Sequence, residues 1–314
     1  ILLIDKEDFE NSVQLKKRLF NSDILIHLAG VNRHEDPVFL FDENVRLCNS
    51  VIKNISKTTK TIIFASSIQQ DLNNSFGKSK LKCSQLFNKW ALKNNSKFVN
   101  LKIPNIFGPF GKPNYNSFIS TFCNNLILNK KSEVHGVNKL NLLYVDYLID
   151  AIRSVITNSI ETVNDNRVVE ISNFKGIVSV SVEEVFNILE TQWNGYENNI
   201  IPNISSSFER NLFNTLMSFI PQDNYFPKKL IKHTDERGFF SEIIKTSSGG
   251  QFSVSTTVPG ITRGNHFHTK KIERFIVTQG IALIELRRID SNEKLSFKLD
   301  SENLNYIDIS IWYT

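Results

Sequence analysis

The chain has 314 residues, 40% hydrophobic and 22% charged, with 37 basic against 32 acidic residues and a net charge of +5. That length and balance predict two globular domains and exclude a disordered or fibrous chain. The basic residues are scattered, with no arginine-rich arm and no basic–aromatic interleaving, so no nucleic-acid partner is expected, while an anionic small substrate would suit the surplus.

In chain order, "ILLI" at the start reads as a strand and Glu7 to Phe20 as a helix. "DILIHLAG" (23–30) is a continuous apolar run ending in glycine, the pattern of a strand buried on both faces. A helix around Glu43–Ile55 leads to a third strand, "TIIFASS" (61–67). "FGKSKLKCSQLFNKWALKNN" has helical periodicity, with Leu81, Phe87, Trp90 and Leu92 expected inside, and "KFVNLKIPN" is a fourth strand. "YNSFISTFCNNLIL", "VDYLIDAIRSVI" and "SVEEVFNILETQW" read as helices, the last with Ser181 as N-cap. Strands alternating with helices predict a parallel sheet covered on both faces. "FERNLFNTLMSFIP" reads as a helical connector. Beyond Lys228 the helical period disappears, and short strands at regular spacing predict an all-β domain. The expected domains are therefore 1–204, a connector 205–228, and 229–314.

Three cysteines, Cys48, Cys83 and Cys123, lie far apart without CxxC spacing, which fits a reducing compartment. No apolar run approaches the ~18 residues of a membrane span, and no signal peptide opens the chain. A cytoplasmic location is expected. The first residues and the last, "IDISIWYT", are strand-like and lack closing turns, so both ends read as cut.

Ligands bind at the carboxyl ends of parallel strands. "HLAGVNR" (27–33), "SSIQ" (66–69) and "PNIFGPFGKPNYNS" (104–117) sit at such ends, and Gly30 would let a cofactor approach the backbone. Singly, each could be a strand followed by a turn. Together, in this order, they resemble the extended short-chain dehydrogenase/reductase family of nucleotide-sugar enzymes over about Ile1–Glu190. "IHLAG" resembles its fourth-strand signature, "SS" with "FGKSK" its Ser…Tyr-x-x-x-Lys active site, "PNIFGP" its substrate-side loop, and "YVDYLIDAI" its late Val-Asp helix. The resemblance implies a Rossmann-like doubly wound parallel sheet and NADPH as cofactor, with Ala29, Gly30, Ser66, Lys80, Pro104 and Asn105 around it. It also implies Ser67, residue 76 and Lys80 in catalysis. Asn114, Tyr115 and Asn116 would meet the substrate.

Two departures stand out. The family's glycine-rich phosphate loop has no counterpart, and its place, with the first βα unit, is expected before Ile1. Phe76 stands where the family has its catalytic tyrosine, and a phenyl ring has no exchangeable proton. General acid–base catalysis is worth ~10²–10⁴-fold, so the reductase step is expected to be disabled unless another group donates the proton.

In the C-terminal part, "GITRGNHFHTKKIERFIVTQG" (260–280) has the spacing G-x5-H-x-H-x4-E-x6-G. His266 and His268, two apart, would share one face of a strand, and Glu273 would return on the next strand. Two imidazoles and a carboxylate suit Zn, Fe or Mn; the bland alternative is a surface hairpin. This spacing matches the first motif of the cupin family, which implies a jelly-roll domain and metal ligands His266, His268 and Glu273, with Zn as the expected ion. "DERGFFSEIIK" with "TRGNHFH" resembles the deoxysugar 3,5-epimerase branch, which implies His266 as a base and Arg237 and Arg263 as substrate contacts. His266 thus has two candidate roles. The second cupin motif would end in a histidine just beyond Thr314, with Ser310 and Trp312 in place of its proline and glycine.

With "GKPNYNSFISTFC" (111–123) and "FIPQDNYFPKKLIKHTDERGFFSEIIKT" (219–246), the whole chain resembles the bifunctional capsular polysaccharide synthesis enzymes of the UDP-N-acetyl-L-fucosamine route. That implies a homodimer acting on a UDP-linked 4-keto-6-deoxy-N-acetylhexosamine, by C3 epimerisation and then NADPH-dependent C4 reduction. A silent reductase beside an active epimerase, or a sugar-binding module without turnover, are the other readings.

Overall fold

A computed structural model describes residues 1–134, 138–161 and 167–314, with backbone only for 158–161. The chain divides into two compact units, residues 1–228 with 245–250, and residues 229–244 with 251–314.

The first unit opens with two short helices, α1 (Lys6–Glu10) and α2 (Ser12–Leu19), where one was expected. Asn11 ends the first and caps the second, its side chain accepting from the backbone N–H of Val13 and Gln14 (3.1 Å each). "ILLI" is not a strand: Ile1 to Leu3 are exposed and find no partner strand, and Asp5 immediately begins a capping box with Asp8.

Four parallel strands follow in the order β1 (Ile24–His27), β2 (Thr61–Ser67), β3 (Lys97–Ile103) and β6 (Val168–Ile171). Helices α3 (Pro37–Asn54) and α4 (Ser75–Lys93) lie between the first three. One sheet face packs Ile62, Phe64 and Phe98 against Leu15, Cys48, Val51, Cys83 and Phe87 of α2–α4. The other packs Ile63, Val99 and Leu101 against Leu148 of α6 (Val145–Glu161) and Phe174. Both faces are covered, as two-period alternation at β2 and β3 requires. Strand β1 departs from the expectation. Leu25 and His27 are buried on one face, while on the other Ile24 packs against the core around Ile63 and Ile26 and Leu28 are exposed, so the second face is covered only in part.

The inner stripe of α4 is Lys80, Cys83, Ser84, Phe87 and Ala91, at i, i+3, i+4 spacing. Leu81 and Leu92, expected inside, are 39% and 52% exposed, because each lies one position off that stripe. Gly77 is required where it is: a Cβ there would come within 1.9 Å of the Gln69 carbonyl, so α4 can meet the single 3₁₀ turn at Ile68–Asp71 only through a hydrogen.

A second sheet in this unit joins β4 (Asn105–Phe107) and β5 (Lys139–Tyr144) in parallel, with β7 (Val178–Ser181) antiparallel to β5. Its core includes Phe107, Leu142, Tyr144 and residues from α5 (Phe118–Ile127), α7 (Val182–Glu197) and α8 (Ser207–Met217). Ser181 caps α7 reciprocally with Glu184, as its sequence predicts. Leu212 and Leu216 of α8 are fully buried in that core. Lys245 and Thr246 run parallel to Ile200 and Ile201 of β8 (Ile200–Ile201). A short helix α9 (Gln222–Tyr225) precedes the unit boundary.

The second unit is all-β. Strand β9 (His233–Asp235) pairs antiparallel with β10 (Gly238–Thr246), which also neighbours β11 (Gln251–Ser255). Strand β12 (Glu273–Ile276) pairs antiparallel with β15 (Tyr306–Ile309), and β13 (Ile281–Arg287) with β14 (Lys294–Asp300). These are separate groups rather than one closed barrel among the described residues. No helix among them is long and apolar enough to cross a membrane.

Candidate functional sites

In the first unit the loop after β1 and the start of α4 converge. A Cβ on Gly30 would sit 3.4 Å from Lys80 Nζ and 3.1 Å from Asn44 Oδ1, so the glycine lies directly against both side chains. Asn44, buried on α3, ties the pieces together. Its Oδ1 accepts from the Val31 N–H (2.7 Å), and its Nδ2 donates to the Val31 carbonyl and Ser79 Oγ (3.0 Å each). Ser79 Oγ in turn donates to the Phe76 carbonyl at 2.7 Å. The sequence reading missed Asn44. Its signal was a polar residue on the buried stripe Leu40–Asn44–Cys48–Val51 of an amphipathic helix.

Lys80 is 5% exposed and donates to the Ala65 carbonyl at 2.9 Å. Burial lowers its pKa to about 8, partly offset by the nearby thiols of Cys83 and Cys48. Its ammonium lies 5.2 Å from the Phe64 ring centre and 5.6 Å from that of Phe76. Residue 76 is therefore adjacent to Lys80, and it is an aromatic ring with no proton to give.

Ser66 is buried and donates to Gln70 Oε1 at 2.6 Å, whereas Ser67 Oγ accepts from the Gln69 N–H (3.2 Å) at the mouth of β2. Ala29 is half-buried behind Gly30. Pro104 is buried between β3 and β4, and Asn105 Nδ2 reaches the Asn141 carbonyl at 3.5 Å. Asn114, Tyr115 and Asn116 form an exposed loop. Arg33, just past Gly30, donates to the Tyr115 carbonyl at 3.5 Å, so this loop borders the segment that carries Gly30.

The second unit holds a different cluster. The ligating atoms of His266, His268 and Glu273 all lie within 4.8 Å of one another. The imidazole centroids are 5.0 Å apart at 75°, and His268 Nε2 is 3.4 Å from Glu273 Oε2. The expected strand geometry is not what brings them together. Residues 261–268 are irregular, and only Glu273 starts a strand. The loop folds the two histidines towards that strand end instead. His268 Nε2 is buried without a hydrogen-bond partner, which an isolated polar hairpin would not leave so. An orphaned imidazole nitrogen beside a carboxylate fits a divalent cation. Lys271 Nζ lies 2.6 Å from Glu273 Oε1 and partly neutralises it.

Arg237 and Arg263 are engaged with protein groups. Arg237 forms a two-pronged pair with Asp235 (2.6 and 3.0 Å), which holds the Asp235 carboxyl below its usual range. Arg263 donates to the carbonyls of Thr256 (2.6 Å) and Phe239 (3.2 Å). Their hydrogen bonds go to these groups rather than to the histidine–glutamate cluster.

The parallel sheet with helices on both faces, and ligand-ready loops at the carboxyl ends of its strands, define a Rossmann-like α/β protein joined to an antiparallel β unit. The chain belongs to the NAD dependent epimerase/dehydratase family, whose model matches residues 4–171. Residues 233–314 match a polysaccharide biosynthesis C-terminal domain. The chain is 31% identical over 284 residues to UDP-2-acetamido-2,6-beta-L-arabino-hexul-4-ose reductase of Pseudomonas aeruginosa, covering 89% of this chain and 74% of that one. Among solved structures, the capsular polysaccharide assembling protein CapF from Staphylococcus aureus matches at a TM-score of 0.80 and 31% identity, over 99% of this chain and 82% of the other. A UDP-N-acetylglucosamine 4-epimerase from Methanobrevibacter ruminantium matches at a TM-score of 0.52 and 20% identity over 69% of this chain and 82% of that one, a likeness of fold.

Proposed function

We propose that the chain modifies a UDP-linked 4-keto-6-deoxy-N-acetylhexosamine for capsular polysaccharide synthesis, epimerising C3 in the β unit and reducing C4 with NADPH in the α/β unit. The observation that carries this reading is the convergence of His266, His268 and Glu273 within the stretch matched to a polysaccharide biosynthesis domain. The chain-long likeness to a UDP-sugar reductase supports the substrate class.

A divalent ion, zinc by the donor set, would be held by His266, His268 and Glu273 and would supply Lewis-acid polarisation of the C4 ketone. The ketone acidifies the C3 proton. With His266 as a ligand, a nearby carboxylate or water would move that proton; in the alternative role His266, the exposed member of the cluster, would take it itself. Glu273 and its partner Lys271 fix charge beside it. In this reading Arg237 and Arg263 would meet the substrate's phosphates or keto oxygen, which requires each to exchange a present partner, Asp235 or the Thr256 and Phe239 carbonyls, for the substrate. Reduction at C4 comes second and removes the ketone, so the product cannot revert.

In the α/β unit, Gly30 and Lys80 would border the nicotinamide ribose, with Ala29, Ser66, Pro104 and Asn105 around the cofactor and Asn114 to Asn116 towards the sugar. Ser67 would hold the ketone oxygen. Phe76 can orient but cannot protonate. That single residue favours the second reading, an epimerase whose reductase unit binds without turning over.

Assays on a UDP-4-keto sugar separate the readings. NADPH oxidation by the chain as it stands supports both steps. Deuterium uptake at C3 without NADPH oxidation supports the silent reductase. Metal binding with neither activity points to a sugar-binding module. Phe76→Tyr is expected to raise NADPH oxidation by ~10²-fold or more, since it restores a proton donor beside Lys80; no gain in a variant shown to bind NADPH would sink the assignment of this site.

A further inference from the structure

We infer that Trp312 is a positioning residue for the His266–His268–Glu273 cluster, acting as a clamp on the loop that carries the histidines; this rests on the metal-binding reading above. The loop needs such a device. Residues 261–268 belong to no strand, so no ladder of backbone hydrogen bonds aims the two imidazoles.

Trp312 supplies two constraints from across the unit. Its backbone N–H donates to the His268 carbonyl at 2.8 Å. Its indole stacks on Phe267, the residue between the histidines, with centroids 5.6 Å apart and planes at 27°. The clamp is itself anchored. Arg287 and Thr314 exchange backbone hydrogen bonds (2.8 and 2.9 Å), and the Ile289 N–H donates to the Trp312 carbonyl at 3.1 Å. The histidine loop is thereby registered against the end of β13.

Two features argue against an ordinary packing role. Phe267 and Trp312 are each 44% exposed, so the stack is not a core contact. Trp312 also has φ +65°, a left-handed conformation unusual for a bulky side chain and kept only where the surroundings enforce it. Glycine would hold that backbone without strain. The chain has instead a large ring there, placed against the one residue that separates the two histidines.

The test is a Co²⁺ titration of the full chain, followed by the visible absorption of the bound ion and by far-ultraviolet circular dichroism. Trp312→Gly keeps the backbone conformation and removes the ring. Its Co²⁺ affinity is expected to fall ~10-fold or more, with an altered absorption band, while Trp312→Phe recovers affinity to within about threefold of the parent. Trp312→Gly with the parent's affinity and spectrum overturns the inference. Should that variant fail to fold, Phe267→Leu removes the stack from the other side and leaves the Trp312 backbone bond. The same loss is expected, and unchanged affinity overturns the inference equally. A parent chain that binds no Co²⁺ overturns the metal reading itself, a result distinct from either.

Discussion

At the scale of single residues, His27 shows how burial sets chemistry. It ends β1 with its ring between Phe64 and Phe87 (centroids 5.8 and 5.1 Å), and burial, reinforced by the Lys80 charge, lowers its pKa to about 3. Between pH 3 and 6.5 the unfolded chain binds a proton here that the folded chain refuses. Stability therefore falls as pH falls through that window, by roughly 4–5 kcal/mol at the limit. His27→Leu is expected to lose this part of the acid destabilisation, read as a flatter plot of urea midpoint against pH from 6.5 to 3; an unchanged slope would refute it. Lys80 and residue 76 were legible in the sequence because one helical turn separates them, and helix geometry then brings them together. Asn44 was not, because its partners Val31 and Ser79 are 13 and 35 residues away.

At the scale of elements, α4 separates pattern from register. Its helical period was readable, but which side chains face inward depends on how the helix rolls on the sheet. Leu81 lies outside the stripe and Phe87 is fully buried within it. Leu81→Ala is expected to change stability by less than ~0.5 kcal/mol, whereas Phe87→Ala is expected to cost about 3–5 kcal/mol. Chemical denaturation of the two variants checks this, and equal effects would contradict the observed roll. The histidine loop teaches the converse. Spacing correctly marked three residues that converge, while the strand assigned to two of them was wrong, because the contacts that aim that loop come from Trp312 rather than from a ladder.

At the scale of the whole molecule, the proposed chemistry divides between the two units. Lys80 and Phe76 lie in one, and His266, His268 and Glu273 in the other. If a divalent ion is held as proposed, it stabilises the unit that binds it, by about 2.7 kcal/mol at a hundredfold excess over its dissociation constant. Hydrogen exchange measured with Zn²⁺ and with EDTA should show protection gained in residues 251–314 and not in the sheet β1–β2–β3–β6. Protection confined to that parallel sheet would reject the assignment of the ligands.

The sequence by itself carried the alternation of strands and helices in the first part, the change to all-β after Lys228, and the spacing of the residues that meet in each cluster. Those depend on local periodicity and on short spacings, which a chain carries in its own order. Only the tertiary structure decided that Leu81 faces water, that Asn44 ties the loop after β1 to helix α4, and that an irregular loop clamped by Trp312 presents the histidines. Each of these depends on groups distant along the chain meeting in space, and no local pattern encodes which distant neighbour a side chain will find.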